Sequence, residues 1–495
     1  MLQRPVLPFI LLQTFPQARC SPSLLAHSAS PADPAAVSRD GRSTNPNRTG
    51  LVRHRHFMHT LLSAGSNARG QLGNGSADDS HSFQQCFFLG CRPGILPTGT
   101  VHLISVSGGA NHTVLLLEIN DASSGEPRTE MWGCGSGSRG QLGPAFLTLP
   151  NASSLVFRPI NLPLYEHNFA GYSYKIASAA WETTYAVLTS PRKGDVLISM
   201  GADDFGDLGV GDHSEESREN PFHIVNFDHV TVDGLNLKSD TINILNLSTG
   251  QHHVVAHLRA RVSDDSTRSF VVGWGTSRHG QLGDAALDTN RNVMQRFTPT
   301  PRLIYGFEEV MELSLGAQHT VFLNAYRGVS GLGSNRKGQL SKLESLNHVR
   351  HVACTWNGTY VVVDDEFETW RVISLGSNTH GQLGRIISDD VGSLGKAIVE
   401  FPDVIETWNL EKIVCGSEHV LCLTSIEAVK QCKTEVWGWG WNEHGNLGLG
   451  TTDDAQVPVK VWPSKHGDPY NIINMWAGCG TSWLYATDSL ANTNH

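Results

Sequence analysis

The chain of 495 residues lacks several features that would place it in a common functional class. It has no run of about 18 apolar residues, so a membrane-spanning helix is not expected. No long amphipathic helical pattern dominates the chain either. The sequence signatures of common catalytic sites are missing too, because there is no Gly-x-Ser-x-Gly nucleophile elbow, no His-Glu-x-x-His zinc motif and no calcium loop. We therefore expect a protein that is not an enzyme and does not enter a membrane.

Patterns typical of metal sites and disulfides are equally scarce. The nine cysteines include no Cys-x-x-Cys pair. Cys86 and Cys91 have roughly the spacing of a zinc pair, but no second pair follows them. We expect no metal and no cofactor, and a reducing compartment. Most of the cysteines at repeat positions otherwise held by small residues should be core thiols, and these are Cys134, Cys354, Cys415 and Cys479.

Negative charge is in excess, but it is unevenly placed. The net charge is −10, whereas residues 1–57 contain seven Arg, no Lys and two Asp, which gives that segment +5 and leaves −15 for the remainder. An acidic body argues against a broad contact with a nucleic-acid backbone, so direct DNA binding is not expected. The same charge suits a basic protein partner.

Glycine, in contrast, is abundant at 50 residues, and much of it falls in one repeated motif. The motif reads Gly-x-x-x-x-Gly-Gln/Asn/Asp-Leu, and most copies follow a short apolar run. A strand can end at the first glycine because no Cβ obstructs the turn, and the second glycine can adopt positive φ. Seven copies indicate a repeat architecture. They begin at Gly65, Gly135, Gly201, Gly275, Gly333, Gly376 and Gly440.

A second signature, Gly-x-x-His followed by an apolar strand, alternates with the first. Three degenerate copies have lost the histidine and carry Thr183, Gly358 or Thr481 at that position. The order of the two signatures never breaks, so there are seven units, with 43 to 74 residues from one turn motif to the next. The four histidines that remain are His112, His253, His319 and His419.

Units of this length, with short strands and glycine turns, are typical of propeller blades, which are four-stranded sheets arranged radially. We predict an all-β fold, a seven-bladed β-propeller over residues 58–488. The strands Leu61–Ala64 and Ser482–Ala486 each lack a partner within their own unit. Pairing them would close the seventh blade from both termini and remove exposed edges. Polar, Pro-bearing connectors are expected at 76–100, 144–175, 212–243 and 284–306.

Residues 1–57 differ from the rest of the chain, since Pro, Ser, Ala and Arg dominate and there is no Trp. A short apolar run at 5–15 follows one Arg, as in a weak signal or transit peptide. A disordered extension, or a true start at Met58, explains the composition as well, and we favour these two. Residues 489–495 are expected to form a tail.

Two tryptophans stand out from the other ten. Trp181 and Trp356 each lie shortly before the position where the repeat expects a histidine. Exposed aromatic residues with polar neighbours make good binding anchors, so contact with a partner and burial both remain open for these two. The tryptophans at strand ends should instead pack between blades, and these are Trp132, Trp274, Trp437 and Trp439.

Together the two signatures resemble those of the regulator-of-chromosome-condensation repeat family, whose members are seven-bladed propellers. The resemblance covers about residues 58–488. Within that family, four segments are similar to the fungal alpha-tubulin-suppressor branch. They are Trp181–Thr184, Cys415–His419, Trp437–Leu447 and Gly478–Trp483.

The branch resemblance implies a non-enzymatic scaffold. Members of that branch pair with a small zinc-binding electron-carrier protein and support Elongator-dependent tRNA wobble-uridine modification and diphthamide synthesis. By the same resemblance, this chain would be a monomer within a heterodimer, in the cytoplasm and nucleus.

The founding member of the family implies an alternative, because it is a nucleotide-exchange factor for the small GTPase Ran and its motif histidines face that partner. Three blades here have lost those histidines, and the founder's basic chromatin-binding tail has no clear counterpart. The resemblance and the two unusual tryptophans give the predicted partner-binding residues, which are His112, Trp181, Glu182, His253, His319, Trp356, His419 and His444.

Overall fold

The computed structural model describes twelve parts of the chain. The extension predicted for residues 1–57 and the tail predicted for 489–495 lie outside the described residues. No helix within the described parts is long and apolar enough to cross a membrane. The described residues are 59–121, 125–211, 220–263, 266–283, 296–307, 309–364, 369–386, 397–402, 408–428, 431–464, 468 and 470–488.

The described chain is almost entirely β-structure, as short apolar runs between glycine turns predict. Its only α-helix is the single turn α1 (Pro144–Leu147), and short 3-10 helices lie at Pro150–Ala152, Ser239–Thr241 and Leu343–Ser345. The strands are β1 (His59–Gly65), β2 (Ser80–Gln85), β3 (Thr100–Gly108), β4 (His112–Asn120), β5 (Pro127–Ser136), β6 (Ser153–Pro159), β7 (Ser173–Ala179), β8 (Thr183–Ser190), β9 (Lys193–Gly201), β10 (His223–Val225), β11 (Thr231–Val232), β12 (Leu235–Asn236), β13 (Asn243–Thr249), β14 (His253–Ser263), β15 (Ser266–Thr276), β16 (Phe297–Ile304), β17 (Val310–Leu315), β18 (His319–Asn324), β19 (Val329–Gly333), β20 (Val349–Thr355), β21 (Gly358–Asp364), β22 (Trp370–Gly376), β23 (Asn409–Cys415), β24 (His419–Ala428), β25 (Gln431–Gly440), β26 (Ala455–Trp462), β27 (Tyr470–Ala477) and β28 (Thr481–Asp488).

Strands β11 and β12 pair with each other in a separate two-stranded sheet. The other strands form seven antiparallel sheets, which are the blades of a propeller. Blade 1 is β3–β6, blade 2 is β7–β10, blade 3 is β13–β16, blade 4 is β17–β19, blade 5 is β20–β22 and blade 6 is β23–β26. Blade 7 joins β27 and β28 to β1 and β2. The first strand of each blade packs against the first strand of the next, and blade 7 returns to blade 1. The predicted seven-bladed architecture is confirmed.

The ring closes where the sequence predicts. Strand β1 runs antiparallel to β28, with Leu61 opposite Tyr485 and Ala64 opposite Ser482. Seven consecutive residue pairs hold this seam, from His59 with Thr487 to Gly65 with Thr481. Both chain ends of the propeller therefore share one sheet, and the two edges that would otherwise be exposed are paired.

The predicted polar connectors need a correction, because they contain the fourth strands of the blades. Strands β2, β6, β10 and β16 all lie within them. Fourth strands at the rim of a propeller are half-exposed, so they lack the apolar signal that marks the inner three. Blades 4 and 5 have three strands each within the described residues. The shortest spacing between turn motifs, 43 residues from Gly333 to Gly376, coincides with one of these blades.

The turn motifs fold as their glycines predict. The first glycine of each copy has φ between 87° and 119°, and the second between 72° and 86°. A Cβ on the first glycine would lie 2.2–2.6 Å from a carbonyl oxygen of the neighbouring loop. In five copies a side-chain oxygen at the third motif position accepts the backbone N–H of the motif leucine. These acceptors are Asn67, Asp203, Asn335, Asn378 and Asn442.

The core lies between blades, where side chains from facing sheets interdigitate. The four tryptophans predicted to pack there are buried, as expected. Cys134 and Cys354 are buried thiols, whereas Cys415 and Cys479 are only partly buried. Among the described residues, no group of three or more His, Cys, Asp or Glu side chains could hold a metal ion.

Substitution of Gly65 by Ala tests the seam. Its φ of 116° and the Gly480 carbonyl oxygen only 2.2 Å from a new Cβ should together cost about 3 kcal/mol of unfolding free energy or more. Gly280→Ala is the matched control, because Gly280 also has positive φ (78°) but an added Cβ would meet nothing within 4 Å. That control should lose about 1–2 kcal/mol in a urea melt. Equal losses in the two variants would contradict the closure geometry.

Candidate partner-binding face

Two sets of loops meet on one face of the propeller, which we call the motif face. One set joins the first and second strands of each blade and carries the Gly-x-x-His signature. The other set joins the third and fourth strands and carries the turn motif. Because both connections leave the same end of an antiparallel sheet, the two signatures share this face. The hairpins between second and third strands lie on the opposite face, the hairpin face.

Backbone hydrogen bonds join the signature loops around the central channel. The N–H of Ala110 donates to the Trp181 carbonyl at 2.8 Å, and the N–H of Trp181 donates to the Gln251 carbonyl at 3.2 Å. On the other side, the N–H of Trp356 donates to the Ser417 carbonyl at 2.7 Å, and the N–H of Ser417 donates to the Gly478 carbonyl at 3.1 Å. Such bonds restrict the loops relative to one another, so the motif face is preorganised.

The four signature histidines do not reach that surface. His112, His253, His319 and His419 are fully buried. Each imidazole Nε2 is hydrogen-bonded to a hydroxyl of the following blade, at 2.9–3.1 Å. The partners are Thr184, Thr320, Thr359 and Ser482. The prediction that these four side chains contact a partner is therefore corrected, because their accessible surface is already taken up by the contact between blades.

The first residue of the signature must be glycine, because the imidazole of the buried histidine packs directly against it. At Gly109, Gly250, Gly316 and Gly416 an added Cβ would lie 2.1–2.5 Å from Cε1 of the histidine three residues later. The ring thus occupies the space in which any other residue would place its first side-chain carbon. Burial lowers the pKa of His112 and His253 to about 3 and that of His319 and His419 to about 4, so all four are neutral at pH 7.

Trp181 and Trp356 do reach the motif face. Both are half-buried, and their ring centroids lie 5.8 Å apart although blades 3 and 4 separate them in the ring. The pair therefore spans the mouth of the central channel. His252 extends this group, with its ring 6.0 Å from Trp181, and Phe205 follows at 4.6 Å from His252. We call these four side chains the aromatic cluster.

Carboxylates border the aromatic cluster on both sides. Glu182 lies 3.9 Å from the Arg139 guanidinium, which also binds Asp204 at 2.9 Å. Glu418, next to Trp356, accepts hydrogen bonds from the Asn357 amide at 2.7 Å and from the Gln382 amide at 2.9 Å. Burial raises the pKa of Glu418, and those two hydrogen bonds oppose the rise.

His444 is partly exposed on the same face, but it is already paired. Its Nδ1 lies 2.6 Å from Asp79 Oδ2 of blade 7. The equivalent His380 in blade 5 lies 2.8 Å from Asp454 of blade 6 in the same way. Both aspartates lie 14 residues after the first glycine of their turn motif, a regularity that is visible in the sequence. Trp441 lies between the two histidine–aspartate pairs, 5.2 Å from His444 and 6.4 Å from His380.

The structure thus brings together Trp181, Glu182 and Trp356 and places His444 at the rim. Sequence reasoning did not identify Phe205, His252 or Asp207 as part of the site. The signal that could have found them is their departure from the repeat, since Phe205 and Asp207 replace residues that the other turn motifs choose differently. No nucleophile with an adjacent base is apparent in this group, and the arrangement is suited to binding.

Comparison with known proteins agrees with this architecture. Residues 434–483 match the regulator of chromosome condensation (RCC1) repeat. Over 448 residues the chain is 26% identical to the ultraviolet-B receptor UVR8 of Arabidopsis thaliana, with 87% of this chain and 85% of UVR8 covered. The chain is therefore similar in sequence to RCC1 repeat proteins, and its fold is a seven-bladed β-propeller.

Further proteins are similar to this chain over most of its length. The secretion-regulating guanine nucleotide exchange factor of Bos taurus is 25% identical over 445 residues, covering 85% of this chain and 81% of that protein. The structure of Prp20p from Saccharomyces cerevisiae, described with its binding to Gsp1p and histones, superimposes with a TM-score of 0.58 at 19% identity, covering 87% of this chain and 92% of Prp20p. The crystal structure of human WBSCR16 superimposes with a TM-score of 0.60 at 18% identity, covering 86% of this chain and 99% of WBSCR16.

Acid should weaken the propeller through its buried histidines. A histidine with a folded pKa of about 4 and an unfolded pKa of 6.5 contributes its full stabilisation above pH 6.5 and loses it as the pH falls towards 4. At pH 5 the loss is about 2 kcal/mol for each such histidine.

His419→Gln isolates one of these contributions. The variant should be less stable than the wild type at pH 7, yet it should lose about 2 kcal/mol less between pH 7 and pH 5 in urea melts. His81→Gln, at an exposed position, is the control and should follow the wild-type pH dependence. Identical pH slopes for the wild type and His419→Gln would show that burial does not lower the pKa of His419.

Proposed function

We propose that this RCC1-like propeller regulates a small GTPase by binding it on the motif face and promoting guanine-nucleotide exchange. The observation that carries the proposal is the half-exposed pair Trp181 and Trp356 at the centre of a preorganised face. Partly exposed aromatic residues surrounded by polar groups are the usual anchors of protein interfaces. Two of the similar proteins support the choice of partner, since one is named as a guanine nucleotide exchange factor and the other is described with its binding to Gsp1p.

Exchange requires no catalytic side chain on the propeller. If the motif face binds the nucleotide-free GTPase more tightly than the GDP-bound form, linkage requires that it weaken GDP binding by the same factor. The useful property is therefore a rigid surface that holds one conformation of the partner. The hydrogen-bonded loops and the pairing of blade 7 supply that rigidity at little entropic cost on binding.

A second candidate is the scaffold role implied by the fungal branch resemblance. The observation that favours it is the position of the residues that carry the resemblance, because Trp181, Glu182, Glu418 and His444 all lie on the motif face. A small zinc-binding partner could occupy the same surface and so serve tRNA wobble-uridine modification and diphthamide synthesis. None of the relatives named above carries that role in its name.

Release of a fluorescent GDP analogue from Ran tests the exchange proposal. The wild-type chain should accelerate release, and Trp356→Ala should reduce the acceleration about tenfold or more, because an aromatic anchor contributes roughly 2 kcal/mol to an interface. Tyr326→Ala is the matched control: Tyr326 is 84% exposed at the β18–β19 hairpin, on the opposite face. No acceleration by the wild type, or an equal loss in both variants, would reject exchange on Ran through this face.

Affinity purification separates the two candidates. A GTPase that co-purifies with the wild type and is lost with Trp356→Ala would support regulation of a GTPase. A small zinc-binding protein that co-purifies, together with loss of wobble-uridine modification after deletion of the gene, would favour the scaffold and count against exchange.

A further inference from the structure

The turn motif of blade 2 departs from the other six at two positions on the motif face. The first is the fifth motif residue, which is cationic or an imidazole in every other blade. In blade 2 this residue is Phe205, whose side chain is 40% exposed. The residues at this position in the other blades are Arg69, Arg139, His279, Lys337, His380 and His444.

The second departure is the seventh motif residue. In five blades it is Gln, whose Oε1 accepts the backbone N–H of the fifth residue at 2.8–2.9 Å and so closes the loop. Blade 6 keeps a neutral amide there, Asn446. Blade 2 instead has Asp207, the only residue at this position that carries a charge. Compared with the other turn motifs, the blade 2 motif therefore has the aromatic Phe205 in place of a basic residue and the carboxylate of Asp207 in place of a neutral amide.

Asp207 is an unusual carboxylate because it is buried and its only ion-pair neighbour among the described residues is a histidine, His252. Only 4% of the residue is exposed, and its Oδ1 has no hydrogen-bond partner. Oδ2 lies 3.6 Å from Nδ1 of His252, which is too long for a hydrogen bond. No Lys or Arg side chain among the described residues forms an ion pair with it. Burial raises the pKa of Asp207, and the neighbouring His252 opposes the rise. Such a group destabilises the fold until a positive charge approaches it.

Two aromatic rings of the motif face flank His252, the neighbour of this carboxylate. The Phe205 ring packs 4.6 Å from His252, and the Trp181 ring lies 6.0 Å from His252. The electron-rich faces of Phe and Trp attract ammonium and guanidinium groups, more strongly when these groups are partly desolvated. Ring faces backed by an unpaired negative charge favour a cation over any neutral or anionic group.

We propose that Phe205, Trp181, His252 and Asp207 form a receptor for one cationic side chain, Arg or Lys, of a protein that docks on the motif face. The proposal rests on the proposed function only in requiring a protein partner on this face. It adds the chemistry of the contact, a basic residue inserted beside the mouth of the channel.

The rim of the receptor already shows how a guanidinium is held there. Arg139 of blade 1 bridges Asp204 at 2.9 Å and Glu182 at 3.9 Å, next to Phe205 and Trp181 in the chain. That ion pair is exposed and does not reach Asp207. One guanidinium and two carboxylates leave the rim with a formal charge of −1. An incoming cation therefore meets negative charge at the rim as well as the buried carboxylate of Asp207.

A fluorescein-labelled peptide of alternating Gly and Arg tests the receptor without any GTPase. Fluorescence anisotropy should show binding to the wild-type chain, and a peptide with neutral citrulline in place of each Arg should bind about tenfold more weakly. Asp207→Asn, which keeps the shape and the oxygen acceptor, should weaken the Arg peptide by about tenfold. Glu443→Gln removes the same charge from an exposed site in the blade 6 turn motif and should leave binding unchanged.

Thermal melts distinguish the proposed receptor from a purely structural role of Asp207. If Asp207 stabilised the fold, Asp207→Asn would lower the melting temperature, whereas the receptor predicts that it rises. Asp207→Asn should raise the melting temperature at pH 7, since it removes a buried, unpaired carboxylate, while it lowers affinity for the peptide. Phe205→Leu, which keeps apolar packing but removes the ring, should lower affinity without a large change in stability.

Three results would contradict the proposed receptor. The first is equal affinity of the wild type for the Arg and citrulline peptides, and the second is an equal change in Arg-peptide affinity in Asp207→Asn and Glu443→Gln. The third is a melting temperature of Asp207→Asn below that of the wild type. Binding of the peptide with no acceleration of GDP release would support the receptor and reject exchange. If the wild type does not bind the peptide but accelerates GDP release, and Asp207→Asn leaves that acceleration unchanged, exchange would be supported and the receptor rejected.

Discussion

The propeller depends on one repeated contact between blades, the hydrogen bond from a buried imidazole to a hydroxyl of the next blade. In a water-excluded site such a bond is strong, and leaving either partner unpaired is costly. The residue after the histidine extends the link where it is a threonine, since Thr113 and Thr320 donate to the carbonyls of Gln71 and Gln281 in the preceding blade. In these two copies, one pair of adjacent residues connects three consecutive blades. The glycine three positions earlier is the steric condition for the contact, because the imidazole fills the space of its missing side chain.

In blades 2 and 5, which lack this contact, the signature loop carries a tryptophan on the motif face. Blades 2 and 5 have lost both the histidine and the glycine, and Ala180 and Thr355 stand in the glycine position. The same two loops carry Trp181 and Trp356, which approach each other across the channel. Two of the three blades without the buried imidazole therefore contribute the paired tryptophans of the motif face. The neighbouring blades, which retain the contact, hold these loops through backbone hydrogen bonds to Gln251 and Ser417.

The sequence predicted the number of blades and the seam because both follow from local requirements. A glycine at a positive-φ corner can be read from one position, and an unpaired strand at each end implies its partner. The direction of the signature histidines could not be read in the same way, since Gly-x-x-His looks the same whether the ring points outward or between blades. The useful signal was the joint loss of Gly and His in blades 2 and 5. The fourth strands were predicted as connectors because their half-exposed sequences are as polar as those of loops. The approach of Trp181 to Trp356 is a contact across the channel between loops of two non-adjacent blades, and no local pattern encodes such a contact.

A rigid ring constrains how relatives of this chain can differ in their partners. Since the backbone of the motif face is fixed by hydrogen bonds between loops, binding is governed by the few side chains that leave it. Most fifth-position residues of the turn motif are basic, and three of them, Arg139, His380 and His444, lie within 3 Å of a carboxylate of the next blade. Specificity therefore concentrates where the repeat is broken. In blade 2, a buried carboxylate with no lysine or arginine partner lies next to His252 and its flanking rings, and a bound cation would offset the cost of burying that charge.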